Sequence, residues 1–442
     1  MRYYARILIQ ALLITIIPCF CLAHEETGLN LHLREIRQVY DCIRAHHVSQ
    51  PSPETILKAG VNRLNNRSKK GGWKKFPYGE AWDAACKGSW NSLGKVLKNY
   101  FSILKPVQEK YAYRAFITGM LDSPAEGYSK MRWHPDPDLI RAKYEAGSGI
   151  LIGKNHLDHN LEIFSVLPGS PAHKSGIAPG DQIIKINNYN VQPEDSIVEL
   201  QSRLIGPLDT KLTLVILREG KKKKVELWRK KIDYPYYLVD FPENGIGRIK
   251  FNYFPGSAGV ARRLLSRTLK EMTDSGMKGI ILDLRGCTGN DYQGAMGMVS
   301  NFLARGEIFT EVKSKDGNRE VLSTVYYRER VIPAVILIDS TTREAAELMA
   351  AAISEQRKYP LVGETTAGIA SVQKEWFLHS GNRVILAIGS FITPGGKNPG
   401  KNGIKPTYRV KMPKWKRETP DDKQAAKARE LLKKMIKKSG VW

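Results

Sequence analysis

The stretch Gly279-Ile280-Ile281-Leu282-Asp283-Leu284 carries the clearest strand signal in the chain. Its unbroken aliphatic run covers both faces of a strand, which is typical of a strand buried inside a sheet. A second apolar run spans 331–338, and helical patterns occupy 261–273 and 344–355. Alternation of strands and helices over 232–410 predicts an α/β core.

The block before this core, residues 147–231, changes to short β-like runs separated by Pro-Gly turns. Two Gly-rich strings stand out. One is Gly147-Ser148-Gly149-Ile150-Leu151-Ile152, a turn that leads into a strand, and the other is Gly169-Ser170-Pro171-Ala172, followed by Gly180-Asp181. The pattern predicts a small β domain.

The flanking regions read as helical and basic. Residues 24–146 place apolar side chains at helical intervals, and 411–442 predict a basic helix with Ala426, Leu431, Leu432 and Met435 on one side. Within 68–97, tryptophans are interspersed with lysines. This pattern occurs on protein surfaces that bind nucleic acid but, more often, on surfaces that simply face solvent. Because no nucleic-acid motif accompanies it, we expect no nucleic-acid partner.

Composition excludes several classes of protein. Of 442 residues, 42% are hydrophobic and 26% charged, so the chain is not wholly disordered. The 69 Lys and Arg against 44 Asp and Glu leave a net charge of +25, which favours anionic partners. Five cysteines are too few for a disulfide framework, and they show no metal spacing. We therefore predict no metal and no cofactor.

The N-terminus resembles an export signal. Arg2 and Arg6 precede an apolar run over 7–22, and Cys21-Leu22-Ala23 has the small residues of a cleavage site. We expect cleavage after Ala23 and location in the periplasm or the extracytoplasmic cell envelope; an uncleaved anchor is the alternative.

The order of helical segment, β domain and α/β core resembles the carboxyl-terminal processing peptidases, which are exported bacterial serine proteases. The string around Gly169-Ser170-Pro171-Ala172 resembles the PDZ domain of such proteases. In the core, Gly245-Ile246-Gly247-Arg248-Ile249, 279–285, 333–338 and the Gly- and Pro-containing strings between 362 and 406 follow the family's order. The resemblance spans roughly residues 30–435.

A PDZ domain binds a chain end by adding it as a strand, and backbone N–H groups of a Gly-rich loop hold the terminal carboxylate. The resemblance assigns this loop to Ser148, Gly149, Ile150 and Leu151. It implies C-terminal peptides of proteins as partners. The alternative is a β domain whose glycines serve only its turns.

Family members use a serine nucleophile and a neutral lysine base, with a Gln four residues after the lysine. At the matching positions this chain has Glu344 for the nucleophile, Ile369 for the general base and Gln373 for the glutamine. The 25-residue interval from 344 to 369 is the interval that the family uses. An isoleucine cannot accept a proton, and one carboxylate does not make an aspartic-protease site.

Other hydroxyls nearby lack a recognisable base. Thr341, Thr342 and Ser371 read as capping or turn residues. The loop 285–290 also departs from the family's form, which places the stabilisation of an oxyanion in doubt.

These observations predict an exported pseudopeptidase that binds peptides as a scaffold or regulator in the cell envelope. We expect it to form a homodimer or to associate with an active homologous peptidase, and its charge suggests attraction to an anionic envelope surface. The alternatives are an active serine-type endopeptidase with an atypical site and a basic structural protein of the envelope.

Overall fold

The computed structural model describes residues 28–123, 129–133, 146–155, 160–195, 197–287, 289, 291–324 and 332–439. The predicted signal, 1–23, lies outside the described residues, as do Thr288 and Asn290 of the loop after the central strand. No helix within the described ranges is long and apolar enough to cross a membrane.

The N-terminal part is a helical region whose apolar faces share one core. In the first helix, Ile36, Val39, Tyr40 and Ile43 are buried at intervals of three or four residues, as the sequence pattern predicts. The region's helices are α1 (Gly28–His46), α2 (Pro53–Gly71), α3 (Tyr78–Cys86), α4 (Trp90–Phe101) and α5 (Pro106–Leu121), followed by strand β1 (Lys130–Arg132).

The tryptophans of the Lys-rich stretch belong to this core. Trp73, Trp82 and Trp90 pack against it half-buried, with the cations of Arg67 and Lys58 over the first two rings at 4.7 and 4.9 Å. Aromatic side chains that pack into the helical core fit the ordinary-surface interpretation of this stretch.

The PDZ-like domain is one sheet in the order β3-β4-β5-β7-β8, with β6 paired to β5 and with β2 paired to β9 beside it. Strand β3 forms one edge of the sheet, where an extended peptide can pair with it. The elements are β2 (Ala146–Gly147), β3 (Ile150–Lys154), β4 (Leu161–Val166), α6 (Pro171–Lys174), β5 (Gln182–Ile186), β6 (Tyr189–Asn190), α7 (Ile197–Leu204), β7 (Lys211–Arg218), β8 (Lys221–Trp228) and β9 (Lys230–Lys231).

The peptidase-like core is built on a six-stranded sheet in the order β10-β11-β12-β15-β16-β19, in which every pair but the first is parallel. Its central strand is the quoted apolar stretch, with Leu282 paired to Ile336 on β15. The elements in order are β10 (Tyr237–Glu243), β11 (Ile246–Phe251), α8 (Ala258–Asp274), β12 (Gly279–Asp283), α9 (Tyr292–Val299), β13 (Ile308–Ser314), β14 (Arg319–Ser323), β15 (Ala334–Ile338), α10 (Ala345–Arg357), β16 (Leu361–Gly363), β17 (Ser371–Phe377), β18 (Arg383–Ile392), α11 (Pro399–Asn402), β19 (Tyr408–Arg409) and α12 (Lys423–Ser439).

Both faces of this sheet are covered, which explains the unbroken apolar run. Ile280 and Leu282 face the cluster that contains helices α8, α9 and α10, whereas Ile281 faces the cluster that contains α12. A second, antiparallel sheet in the order β1-β18-β13-β14, with β17 on β18, joins the core to the helical region. The predicted mixed α/β class, with a helical N-terminal segment, a small β domain and an α/β core, is confirmed.

The buried stripe of the C-terminal helix differs from the one that the sequence suggested. Ala425, Ala428, Leu432 and Ile436 face the sheet, while Ala426 is exposed. The prediction was therefore wrong for its first residue, Ala426. The helix begins with several alanines, and the sequence pattern alone does not show which of them faces the sheet.

A buried ion network fixes this helix to the central strand. Arg285 follows β12 and is 1% exposed; its guanidinium donates to both carboxylate oxygens of Asp283 and of Asp422, and to Gln424 Oε1 at 3.0 Å. Burial alone raises the pKa of Asp283, but the charge and hydrogen bonds of Arg285 outweigh it and hold that pKa at about 2.

We expect Arg285→Ala to lower the free energy of unfolding by about 3–5 kcal/mol, because it leaves two buried carboxylates without their cation. Urea denaturation followed by circular dichroism measures the loss. The control is Arg267→Ala, which removes an exposed pair with Glu271 and should change the free energy by less than about 0.5 kcal/mol. Equal effects of the two substitutions would contradict the prediction.

Candidate functional site

The chain makes a sharp strand-to-helix turn at Glu344. Strand β15 ends at Ile338, and Glu344 caps helix α10 with φ 54° and ψ −124°, a conformation that L-residues rarely adopt. Backbone strain of this kind costs about 1–3 kcal/mol and persists only where surrounding contacts impose it. Strand-turn-helix elbows of this shape present a side chain at the mouth of an active site in many hydrolases.

The turn is imposed by the buried carboxylate of Glu347. Its two oxygens accept hydrogen bonds from the backbone N–H groups of Glu344 at 3.1 Å, Gly368 at 2.7 Å and Ile369 at 3.0 Å, and from the Thr366 hydroxyl at 2.5 Å. Burial raises the pKa of Glu347 to about 7 despite these four donors. One side chain thus joins the start of α10 to the segment that carries Ile369.

Sequence reasoning did not single out Glu347. A Glu three residues after a helix-capping position is a capping-box signal, and here its oxygen accepts from the capping residue's N–H. That signal was present in the string Glu344-Ala345-Ala346-Glu347.

The side chain of Glu344 lies against a cation that sequence reasoning also missed. Lys130 Nζ on β1 is 3.3 Å from Glu344 Oε1, and the two side chains are 31% and 12% exposed. The next N–H group in the chain, that of Ala345, donates to the carbonyl oxygen of Gly289 at 3.0 Å. Ile369 is buried beside this pair and presents only hydrocarbon.

The structure brings Glu344 and Ile369 into one cleft but places Gln373 outside its described lining. Gln373 lies on β17, where its amide nitrogen is 3.4 Å from the Ser371 hydroxyl. The cleft has a volume of about 370 Å³ and lies where the helical region, the PDZ-like domain and the core meet. Its lining includes Lys130, Trp133, Ile152, Lys154, Gln201, Arg343, Glu344 and Ile369.

Other groups near the turn are committed to structural bonds. The Thr341 hydroxyl donates to Asp339 Oδ1 at 2.6 Å, and the Thr342 hydroxyl donates to the Leu284 carbonyl at 2.9 Å. Both side chains are buried. Burial also raises the pKa of the Cys287 thiol to about 12, so it stays protonated at neutral pH.

One lysine in the cleft has an unusual pKa. Burial lowers the pKa of Lys154 to about 8, and the nearby charges of Asp195 and Glu194 act in the opposite direction. Its amine donates to the carbonyl oxygen of Pro193 on the PDZ-like side of the cleft. Among the described residues, no group of three or more His, Cys, Asp or Glu side chains could hold a metal ion.

The predicted peptide-binding loop stands at the start of β3. Ser148 is buried, Ile150 is 6% exposed and Leu151 is half-buried. Gly149 has φ 85°, and a Cβ there would lie 2.2 Å from Ser170 Cβ, so this position accepts only glycine. None of these four residues is in the described lining of the cleft. The next residue of β3, Ile152, does line it, so the strand connects the loop to the cleft.

Buried ion pairs hold the PDZ-like domain on the helical region. Arg114 on α5 forms two hydrogen bonds, at 3.0 and 3.2 Å, with the carboxylate of Glu199 on α7. Arg67 on α2 lies 3.0 Å from Glu194. Helix α7, which borders the cleft, is therefore fixed relative to the helical region.

We expect the raised pKa of Glu347 to make the protein less stable as pH rises. Because the folded state binds this proton more tightly than the unfolded state, the contribution is complete below about pH 4.5 and is lost as pH rises through about 7. Glu347→Gln should remove this part of the pH dependence, on the order of 3 kcal/mol between pH 4.5 and 8.

Urea denaturation across this pH range measures the slope. Glu355→Gln is the control, since Glu355 lies on the same helix and also accepts a backbone N–H, that of Gly395 at 2.7 Å. That control should keep the slope of the natural chain. A natural slope retained in Glu347→Gln would contradict the prediction.

Comparison with known proteins agrees with this architecture. Residues 245–410 match peptidase family S41, and residues 162–218 match the PDZ domain. Carboxy-terminal processing protease CtpA of Bacillus subtilis (strain 168) is 32% identical over 305 residues, which are 68% of this chain and 64% of that protein. The carboxyl-terminal-processing protease of Synechocystis sp. is 27% identical over 316 residues, 70% of this chain and 73% of that protein.

A solved structure shows the same fold. The photosystem II D1 C-terminal processing protease superposes with a TM-score of 0.58 over 87% of this chain and 94% of that chain, at 17% identity. The chain thus spans slightly less than two thirds of the length of CtpA and most of the D1 processing protease. It is a relative of the carboxy-terminal processing proteases, with a PDZ domain joined to a peptidase family S41 domain.

Proposed function

We propose that this protein is a pseudopeptidase of the cell envelope, which binds extended peptides in its cleft without cleaving them and acts as a scaffold or regulator. The observation that carries the proposal is the side chain on the strained turn. At the position to which the family resemblance assigns a serine nucleophile, Glu344 presents a carboxylate that is paired with Lys130.

Three requirements of acyl transfer are unmet at this turn. A carboxylate does not form a normal acyl-enzyme with a peptide, and Ile369 cannot take up a proton. The third requirement is a pair of N–H donors for the oxyanion, one of which is usually the N–H after the nucleophile. Here the N–H of Ala345 is already hydrogen-bonded to Gly289.

Three other groups near the turn are poorly suited to act as a nucleophile. Thr341 and Thr342 are buried and donate their hydroxyl protons to protein oxygens, and Cys287 is buried with a raised pKa. The lysine of lowered pKa, Lys154, donates to the Pro193 carbonyl within the PDZ-like domain. These commitments disfavour an active serine-type endopeptidase with an atypical site.

The same geometry favours peptide binding. Strand β3 is a sheet edge, and three of its residues, Ile152, Gly153 and Lys154, line the cleft. An extended chain end that pairs with β3 can therefore run from the Ser148–Leu151 loop toward Glu344. The relatives are named for processing carboxyl termini, so we propose C-terminal peptides of proteins as the ligands.

The proposal also includes export to the cell envelope, a protein partner and attraction to an anionic surface. Exposed side chains favour the last two. Apolar side chains exposed on the helical region, such as Ile103 at 48% and Val107 at 67%, offer contacts for a homodimer or an active homologous peptidase. Exposed lysines at positions 221–224 of β8 would favour an anionic envelope surface.

We expect proteolysis to require two substitutions together. Glu344→Ser alone leaves an unactivated hydroxyl, and Ile369→Lys alone places an amine beside the Glu344 carboxylate. Since general-base assistance is worth about 10²–10⁴-fold, both single variants should stay near background. Glu344→Ser combined with Ile369→Lys should gain slow cleavage of an unstructured protein substrate, limited by the Ala345–Gly289 bond.

The matched control is Glu344→Ala combined with Ile369→Lys, which should remain inactive. A fluorophosphonate serine probe reports the nucleophile independently of turnover. Strong proteolysis by the natural chain that no change at 344 or 369 abolishes would overturn the pseudopeptidase proposal.

We expect the natural chain to bind ten-residue peptides with an aliphatic C-terminal residue, measured by fluorescence anisotropy with an N-terminal dye. Gln201→Trp places an indole in the cleft from α7 and should weaken binding at least about tenfold, whereas Lys221→Trp adds the same bulk on an exposed strand and should not. Equal binding by both variants would show that the peptide does not use this cleft.

A further inference from the structure

The chain itself occupies the predicted carboxylate-binding loop. The phenolic oxygen of Tyr234 accepts a hydrogen bond from the backbone N–H of Gly149 at 3.1 Å, and the N–H of Ile150 also acts on this hydroxyl, opposing the rise in its pKa that burial causes. These N–H groups belong to the loop that the PDZ resemblance assigns to a terminal carboxylate. A neutral hydroxyl oxygen thus occupies the position at which these N–H groups would bind a carboxylate oxygen of a peptide.

The remaining bonds of the loop keep its N–H groups aimed at this oxygen. The carbonyl of Ser148 accepts from the Ala172 N–H at 3.0 Å, and the carbonyl of Gly149 accepts from the Leu167 N–H at 2.8 Å. Gly149 fits against Ser170 too closely for any other residue. The loop is therefore already in a shape that suits an anion, and the hydroxyl satisfies donors that would otherwise face an empty site.

Tyr234 also belongs to the connection between the PDZ-like domain and the core. It follows β9, which pairs with β2 immediately before the loop, and it precedes β10 of the core sheet. Its backbone carbonyl accepts from the Tyr253 hydroxyl at 2.6 Å, and Tyr253 follows the core strand β11. A ligand that displaces the Tyr234 side chain would therefore disturb the segment that joins the two domains.

We propose that Tyr234 is an internal competitor for the carboxylate site: its hydroxyl keeps the Gly149 and Ile150 N–H groups occupied, and a peptide C-terminus binds only by displacing it. This inference rests on the proposed peptide-binding function. Because of this competition, the natural chain should bind chain ends weakly. A peptide that binds the loop should also shift the segment that connects the PDZ-like domain to the core.

The competition follows from the chemistry of the donors. A carboxylate is a stronger acceptor than a phenol oxygen because its bonds are charge-assisted. A free C-terminus can therefore replace the hydroxyl, but the exchange gives up the hydrogen bonding that the hydroxyl already provides to the loop. Removing the hydroxyl should improve binding of a free carboxylate by about tenfold.

The test compares Tyr234→Phe with the natural chain, using one ten-residue peptide with an aliphatic end in a free-acid and an amidated form. Tyr234→Phe should bind the free-acid form about tenfold more tightly and leave the affinity for the amidated form unchanged. Tyr237→Phe is the matched control, since it removes a nearby hydroxyl that contacts Thr268 and not the loop. That control should bind both peptides as the natural chain does.

Hydrogen exchange provides a readout that needs no peptide. In Tyr234→Phe the amides of Gly149 and Ile150 lose their acceptor, so they should exchange at least about fivefold faster than in the natural chain and in Tyr237→Phe. Adding the free-acid peptide should restore their protection in Tyr234→Phe, and the amidated form should not.

The outcomes separate the two proposals. Binding of the free-acid peptide with equal affinity by the natural chain and Tyr234→Phe overturns the competitor role and leaves the peptide-binding function standing. An equal gain for free-acid and amidated peptides also overturns it, because the hydroxyl would then not compete with a carboxylate. Absence of binding by both proteins, with or without faster exchange, overturns the peptide-binding function and the competitor role with it.

Discussion

The buried carboxylate of Glu347 is the constraint on which the site depends. It accepts four hydrogen bonds, and their donors come from two segments that are distant in sequence: the start of helix α10 and the stretch Thr366–Ile369. Breaking any of these bonds would leave a buried donor without a partner, which costs more than the bond itself contributes. The carboxylate thus holds Glu344 in its strained conformation and places Ile369 beside it.

This arrangement keeps the backbone of the turn independent of the side chain that the turn presents. The strain at Glu344 is compensated by bonds to Glu347 and Gly289, and none of those bonds depends on the side chain at position 344. Because the backbone is fixed by other residues, the turn does not require a particular side chain at position 344. The carboxylate then finds a local counter-charge in Lys130, as a partly buried anion requires.

The cleft is assembled from all three regions, so its shape depends on how they are held together. The bidentate pair of Arg114 and Glu199 fixes helix α7 to the helical region. On the other side, Arg343 stacks over the Phe164 ring at 4.1 Å and donates to the Lys154 carbonyl at 3.2 Å, which links the turn to the PDZ-like sheet. The edge strand β3 and the turn at Glu344 are therefore held together by direct contacts.

The sequence by itself determined the regions and their order, because unbroken apolar runs, helical periodicity and Gly-Pro turns are local properties that neighbouring residues impose. Its resemblance to a known pattern also predicts that Glu344 and Ile369 occupy the nucleophile and base positions. Only the tertiary structure decided that Lys130 pairs with Glu344 and that Tyr234 fills the loop at Gly149, since these partners are 214 and 85 residues apart in the chain. No local pattern encodes such contacts: they follow from how segments of separate regions pack together, and they supply charge and hydrogen bonding at the turn and at the loop.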